Sequence, residues 1–465
     1  MGDESHGSET FSWRNMISLE ANRYSVLFDG FEEICGRLLQ ENKLDELLRM
    51  IARLAHNSFN TKNNVGKKLF YPELDKAIIG IANALKVKEQ IGDKNKDLQV
   101  VIGTEFYRTG GHTRVAKAIC GVSKYNLVVL TDLFGRHKGS VDPEIKEIFK
   151  PFPMIILNRD SMLEKAVFIV SLLKNLRPSK IVCLNHFQDP IPLVAMTAVP
   201  EGVKIYYHHC DYRPSLGASL RDFIHIDTTE VGRSICEIHS EANNPVFAPI
   251  PSETSYNFDV GFDNNTNLNT ISMGHQHKYV ISQCSSPFSY PHVIAEVLLQ
   301  TKGKHFHIGN LTEGALAIIA TVLKENDIEF ERFSYLGEVP EGVRLVQNIP
   351  NPVYIPSFPI GGGLSITQMK ACGVPILVKK IPLPVEEMTI TDLAHLELLP
   401  PTCRYWSDKA ELNESLEFIK KNYSEISDEL KKHHLKYSSL DVFLNQIKLL
   451  ISAADWTPST ASIEM

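Results

Sequence analysis

Three stretches of the chain combine residue types and spacings that could do chemistry. The first is PSFPIGGGLSITQMKACGVPILV, residues 356–378, where Gly361, Gly362 and Gly363 directly precede a helical segment from Leu364 to Cys372. Glycines at a strand-to-helix turn let a phosphate approach the backbone, and the free N–H groups and positive end of the helix then hold the anion. Ser365 and Thr367 add hydroxyl donors at the same end. The competing explanation is a tight turn that needs positive φ. The second stretch is EFYRTGGHTRVAKAICG, residues 105–121, in which Gly110, Gly111 and His112 open a helix carrying Arg114 and Lys117. It has neither the GxGxxG of a dinucleotide site nor the GK[ST] of a P-loop, so neither NAD binding nor Walker-type ATP hydrolysis is expected. The third is KIYYHHCDYRPSLGASLRDFIHIDTTE, residues 204–230, where His208, His209 and Asp211 follow a β-rich run. A His–carboxylate set at a strand end can act as, or orient, a general base; it can equally be a hydrogen-bonded cluster that fixes a loop. The His–x–Asp spacing lacks further close ligands, so no metal site is expected. A fourth cluster, Asn185 to Asp189 with His186, sits at another strand end.

Positioning these residues falls to two alternating series. LQVVIG (98–103), NLVVLT (126–131), MIILN (154–158), KIVCLN (180–185) and VKIYYHH (203–209) read as strands, separated by amphipathic stretches such as 160–176. A polar stretch, 250–272, reads as a linker or long loop. KYVISQ (278–283), KHFHIG (304–309), FSYLG (333–337), VRLVQ (343–347), NPVYIP (351–356) and PILVK (375–379) form the second series. Strands alternating with helices predict parallel sheets covered on both faces. Ahead of them, residues 18–85 show helical spacing broken at Glu41–Asn42–Lys43, and 408–453 are helical again. The expected architecture is α/β: two Rossmann-like domains facing across a cleft, with an N-terminal helical extension and C-terminal helices. The boundaries read as 1–92 for the extension, 93–262 and 263–400 for the domains, and 401–465 for helices that pack back on the first domain. His305 and His307 read as strand residues, and His433 and His434 as a solvated helix face.

Composition narrows the partners. The chain has 465 residues, 43% hydrophobic and 22% charged, which excludes a disordered or fibrous protein. Its net charge of −7 provides no basic field for nucleic acid. Eight cysteines are scattered without a CxxC pair and read as buried free thiols. The polar, acidic start is not a secretory signal, and no apolar run suits a membrane span. A cytoplasmic location is expected, with attachment at the membrane periphery as the variant.

These motifs resemble those of the GT-B glycosyltransferases. TGGHTRVA is similar to the glycine loop of the acceptor-side domain, and YYHHCDYRPSLGAS to the His–Asp loop of several bacterial members. PSFPIGGGLSITQMKACGVPIL resembles the donor-site stretch, which in retaining members reads P-S-x-x-E-G-F-G-L-x-x-x-E-A-M-A-x-G-x-P. The wording F-P-x-G-G-G also resembles bacterial protein N-glucosyltransferases, whose branch often carries a helical N-terminal domain. Aligned through Ala371 to Pro375, the two family glutamates fall at Ile360 and Gln368.

The resemblance implies sugar transfer from a nucleotide-sugar donor to a glycan, glycolipid or polypeptide acceptor, with no cofactor. The diphosphate would lie at Gly361 to Gly363, Ser365 and Ile366, with Gln368 near the ribose and Gly110 and Gly111 closing from the other side. His112, Arg114 and His186 would line the acceptor side. Ser282, Gly309 and Gly337 would line the donor cleft, and Arg114, Lys278 and His275 are candidate cations. No Asp–x–Asp triplet occurs, so metal independence follows as an inference. The general base would be His209, then Asp211, then His208. The N-terminal helices read as a packing extension or as a surface for a partner, an acceptor or self-association. A non-catalytic GT-B-like binding subunit and a nucleotide-sugar 2-epimerase are the alternatives.

Overall fold

The computed structural model describes residues 30–60, 71–85, 95–108, 111–138, 140, 142–208, 215–239, 245–252, 261–286, 289–339, 341–380 and 398–454. Three helices come first: α1 (Phe31–Gln40), α2 (Leu44–Asn60) and α3 (Pro72–Ala84). The chain turns between α1 and α2 at Asn42, whose φ of 54° is left-handed, as the Glu41–Asn42–Lys43 break predicted. Leu47, Leu48 and Ile51 on α2 and Leu74, Ile78 and Ile81 on α3 are fully buried. Each such side chain contributes about 1.5–3 kcal/mol relative to an exposed one. They share one core with the first sheet and its helices, so the preface is part of that domain's packing.

The first sheet holds β1 (Asn95–Gly103), β2 (Tyr125–Leu130), β3 (Met154–Ile156), β4 (Pro178–Leu184), β5 (Val203–His208), β6 (Ile224–Asp227) and β7 (Val246–Phe247). All are parallel, in the order β3-β2-β1-β4-β5-β6-β7. The run VVIG of β1 is buried on both faces, as expected of a central parallel strand. Helices α4 (Gly111–Cys120), α5 (Pro143–Ile148), α6 (Met162–Leu176), α7 (Ile191–Ala198) and α8 (Glu230–His239) provide the crossovers and cover. Strands β6 and β7 and helix α8 were not foreseen from the sequence. β6 alternates in sequence but is only four residues long, and His225 and Asp227 on its polar positions are buried as well.

The second sheet orders β8 (Asn269–Met273), β9 (His305–Ile308), β10 (Phe333–Gly337) and β11 (Pro352–Tyr354) as β10-β9-β8-β11. A bridge from Tyr354 to Ile376 adds the pair β12 (Leu377–Lys379) and β13 (Arg404–Trp406). Numbered within each domain, both sheets run 3-2-1-4-5-6, with a reversal of strand order at β1/β4 and at β8/β11. Helices α9 (Tyr290–Thr301), α10 (Glu313–Glu325) and α11 (Gly363–Cys372) cover this domain.

Two strand expectations need correction here. KYVISQ is not the opening strand: Gln276–Lys278 is a 3-10 turn, and the strand is Asn269–Met273, within the stretch read as linker. VRLVQ is likewise a 3-10 helix, Gly342–Asn348. Asn269, Thr270 and Ser272 are polar yet buried, and their side chains bond to neighbouring strands and to the backbone, which hides the strand from a hydropathy reading.

The last helices divide between the domains. α12 (Lys409–Lys421) and α13 (Tyr423–Tyr437) pack into the second core through Leu412, Leu416, Ile419, Ile426 and Leu430. Only α14 (Leu440–Ala454) returns to the first domain, where Phe443 meets Tyr207 with ring centroids 6.3 Å apart. The expectation that all of 401–465 packs on the first domain therefore holds for α14 alone. His434 is not on a solvated face: it is 2% exposed against the second domain. His305 and His307 lie in β9, both bonded to the hydroxyl of Tyr290. Of the described cysteines, all are buried free thiols except Cys284, which is exposed.

Candidate functional site

A cavity of about 460 Å³ opens between the two sheets. Every loop that lines it leaves the carboxyl end of a parallel strand, where open α/β sheets place their ligands. From the first domain come Tyr107 and Arg108 after β1, His186 after β4, Tyr207 of β5, and Thr228 and Thr229 after β6, with Gly111, His112 and Arg114 at the start of α4. From the second come Gly274, His275 and Lys278 after β8, Gly309 after β9, Glu338 and Glu341 after β10, and Gly361 to Ser365, Thr367 and Gln368 at the start of α11.

The glycine triplet caps α11. Gly362 is its N-cap with φ −134°, and no side chain caps the helix. None of the three glycines has positive φ among the described residues, so left-handed backbone is not the reason for them. Close approach is the reason at Gly362, where a Cβ would stand 2.6 Å from Ser365 Oγ and 3.2 Å from Lys278 Nζ. Lys278 Nζ donates to Gly361 O at 3.2 Å, which brings a cation to the positive end of the helix. Opposite, α4 also begins at the cavity, and Arg114 projects from its first turn. Two helix starts and two cations around one cavity suit a phosphate-bearing anion.

Gly309 has a different constraint. Its φ is 129°, and a Cβ there would collide with Gly274 O, so the ends of β8 and β9 cross backbone to backbone. Its N–H donates to Gly337 O at 2.8 Å, which ties the end of β10 to the same crossing. Gly337 itself, φ 68°, supports the loop that presents Glu338 and does not line the cavity. Asn310 Nδ2 donates to Glu338 Oε2 at 2.9 Å.

The residues proposed from sequence fall into three groups. Gly111, His112, Arg114, His186, Gly309, Gly361, Gly362, Gly363, Ser365 and Gln368 line the one cavity, as do the candidate cations Lys278 and His275. Gln368 is 6% exposed and makes no side-chain hydrogen bond among the described residues. Ser365 Oγ is engaged, donating to Gly362 O and accepting from the Tyr354 hydroxyl, both at 2.8 Å.

A second group is misplaced. Ile366 is fully buried in the second core, and its N–H already donates to Gly362 O at 3.1 Å, so it has nothing to offer a diphosphate. Ser282 lies on an exposed turn, bonded to the backbone of Cys284, because the strand it was thought to end is not there. His208 is fully buried with Nδ1 2.9 Å from Asp227 Oδ1, so it cannot reach an acceptor. His209, Asp211 and Gly110, the third group, lie outside the described residues.

His112 shows what burial does to a neighbouring base. Desolvation pushes its imidazole down to about 4, against the opposing pull of its bond to Leu184 O at 2.7 Å. It is neutral at pH 7, so Nε2–H is the donor in that bond. Sequence reasoning missed Thr228, Thr229, Gly274, Glu338 and Glu341. The usable signal was the alternation in FIHIDTTE, which marks β6 and so places both threonines at a strand end.

No family model matches the sequence, and no curated protein matches it by sequence either. Solved structures do match in three dimensions. A glycosyltransferase from Rickettsia africae ESF-5 aligns over 78% of this chain and 100% of its own, at 11% identity and TM-score 0.56. HepE of Anabaena, solved in complex with UDP and glucose, aligns over 77% and 99%, at 11% identity and TM-score 0.53. Sucrose-phosphate synthase from Thermosynechococcus elongatus aligns over 77% and 99%, at 11% identity and TM-score 0.56. The likeness covers about three quarters of this chain and nearly all of each of the others, and the fold is GT-B.

Proposed function

We propose that the chain is a glycosyltransferase that moves a sugar from a nucleotide-sugar donor to a hydroxyl or amide of a glycan, glycolipid or polypeptide. The observation that carries this reading is the glycine-capped start of α11, with the Lys278 amine beside it, facing the start of α4 and Arg114 across one cavity. The donor diphosphate would bind there, held by backbone N–H groups, two helix ends and two cations, without a metal in the cleft. Glu338, Glu341 and Gln368 offer acceptors for sugar or ribose hydroxyls. HepE binds UDP and glucose on the same fold, which supports a nucleotide-sugar ligand here.

His209 would be the general base, with Asp211 second. A neutral imidazole at that position would take the acceptor's proton as the glycosidic bond forms. Transfer with retention would need no such base, and His209 would then bind acceptor or donor. The residue at the second glutamate position, Gln368, is neutral, and Ile360 stands at the first. That departure favours the second reading, a GT-B-like binding subunit without turnover.

The test is thermal melting of the full chain against UDP, GDP, CMP and ADP and their sugars. A ligand at about 100 times its dissociation constant adds roughly 2.7 kcal/mol, a shift of several degrees. One clear responder, with turnover on an acceptor panel, supports the transferase. Binding without turnover moves the subunit reading first, and silence across the panel removes the donor-site assignment.

A further inference from the structure

The first domain buries a second cluster of chemically able side chains, outside the cavity. His208 ends β5, His225 and Asp227 stand on β6, and Cys236 follows on α8. All four are 0–1% exposed. The fold brings them together for simple reasons. His208 and Asp227 are register partners on adjacent parallel strands. His225 and Asp227 are two residues apart and share one face of β6. Helix α8 lies close over that face: a Cβ at Gly232 would stand 3.5 Å from Asp227 Oδ1, and Cys236 comes one turn later.

Four donor atoms, one from each residue, lie within 4.8 Å of one another. His208 Nδ1 is 2.9 Å from Asp227 Oδ1, and Cys236 Sγ is 3.7 Å from the first and 3.6 Å from the second. His225 Nε2 is 3.2 Å from Asp227 Oδ2, yet neither atom makes a hydrogen bond among the described residues. His208 Nε2 and His225 Nδ1 are likewise without a hydrogen-bond partner there. A partly satisfied buried network of two imidazoles, a carboxylate and a thiol is costly unless something compensates it.

We propose that His208, His225, Asp227 and Cys236 bind a divalent transition-metal cation, with zinc the best fit. Four-coordinate zinc with bonds of about 2.0 to 2.3 Å has donor–donor edges of about 3.3 to 3.7 Å. The sulfur edges to His208 and to Asp227 Oδ1 match this range, the His208–Asp227 edge needs to open by a few tenths of an ångström, and the donors of His225 and Cys236 come together within 4.8 Å. Mixed imidazole, carboxylate and thiolate donors suit zinc, and four protein ligands with no exposed face make a closed, structural site. The ion would tie β5 and β6 to α8 at their cleft ends. His208 directly precedes His209, and Asp227 directly precedes Thr228 and Thr229 of the cavity wall, so occupancy would set the position of both. This site was not expected from the sequence, where the ligands fall at four separated positions with no CxxC or HxxxH spacing.

The test uses the full chain, expressed with added zinc and desalted, with metal content measured by plasma emission. About one zinc per chain is expected, falling to near zero in Cys236→Ser and in His225→Gln. Cobalt(II) added after chelator treatment should produce a near-ultraviolet thiolate-to-metal band and strong visible bands of four-coordinate cobalt in the wild type. Cys236→Ser should lose the near-ultraviolet band. If either variant fails to fold, the wild-type spectrum and stoichiometry decide alone. A wild type with neither zinc nor the cobalt band overturns the proposal. So does a folded variant that keeps the full metal content.

Discussion

The two walls of the cleft come from sheets of the same strand order, yet they are built of different material. The second domain's wall is rich in glycine: Gly274, Gly309 and Gly361 to Gly363 bring main chain to the cavity surface beside the side chains of Lys278, Glu338, Glu341 and Gln368, and Lys278 lies against the glycine loop. The first domain's wall is side chain: Tyr107, Arg108, His112, His186, Thr228 and Thr229 face the cavity. Behind it lie buried polar groups, the His208 cluster and Asp75. The Asp75 carboxylate accepts from Gly217 N at 2.7 Å and Ser219 N at 2.9 Å, so a helix of the N-terminal preface holds the chain just after residues 209–214. A wall that exposes main-chain N–H groups at its glycines suits an anion such as a phosphate. A wall made of side chains on polar supports suits a variable partner. The lesson is that one topology can separate a constant half-site from an adaptable one.

The comparison breaks first at Gly309. Gly309→Ala should cost about 4 kcal/mol, because a positive-φ position gains a Cβ that collides with Gly274 O. Chemical denaturation would read this, and a loss under 1 kcal/mol would mean that the crossing of β8 and β9 is not tight. On the other wall, Asp75→Ala should cost about 3 kcal/mol by leaving two buried N–H groups unpaired. If chemical denaturation shows no change, the preface does not support the 215–219 segment.

Lys278→Met comes next, with nucleoside diphosphate affinity falling about 30-fold, or about 2 kcal/mol, while stability is kept. Calorimetric titration would show it, and unchanged affinity would mean that the Lys278 amine does not meet the ligand. The smallest effect belongs to His112. Its folded pKa, about 4, lies below the unfolded value of about 6.5. Its stabilising contribution is therefore present above pH 6.5 and lost as pH falls through 4. His112→Gln should flatten the stability loss in that window and leave the pH profile of ligand binding between 7 and 8 unmoved. A shifted binding profile there would show that His112 titrates in the cleft.

Much of the cavity was legible because glycine-led helix starts are local. A glycine run, the helix after it and the strand before it are contiguous, so Gly361 to Ser365 and Gly111 to Arg114 could be read directly. The misreadings share a cause. β8 is written in buried polar residues, so hydropathy moved the opening strand eight residues or more onward, and Ser282 inherited a place that belongs to Gly274. Ile366 failed because a helix consumes its own N–H groups after the first turn. His208 was a chemically sound choice whose exposure no local pattern reveals.

What the amino-acid order determined by itself is therefore the set of local devices: two alternating β/α series, glycine-led helix starts, the helical preface with its turn at Asn42, and Gly373 ending α11 with φ 68°. These follow from torsional preference and from side-chain periodicity, which act over a few residues. Only the tertiary structure decided which devices face each other. It joined Gly111, His112 and Arg114 to Gly361 through Ser365 in one cavity and assigned α14 to the first domain and α13 to the second. It also gathered His208, His225, Asp227 and Cys236 behind the first domain's wall. Those outcomes depend on strand order and on which groups lose water together, and neither is encoded in the spacing of residues along the chain.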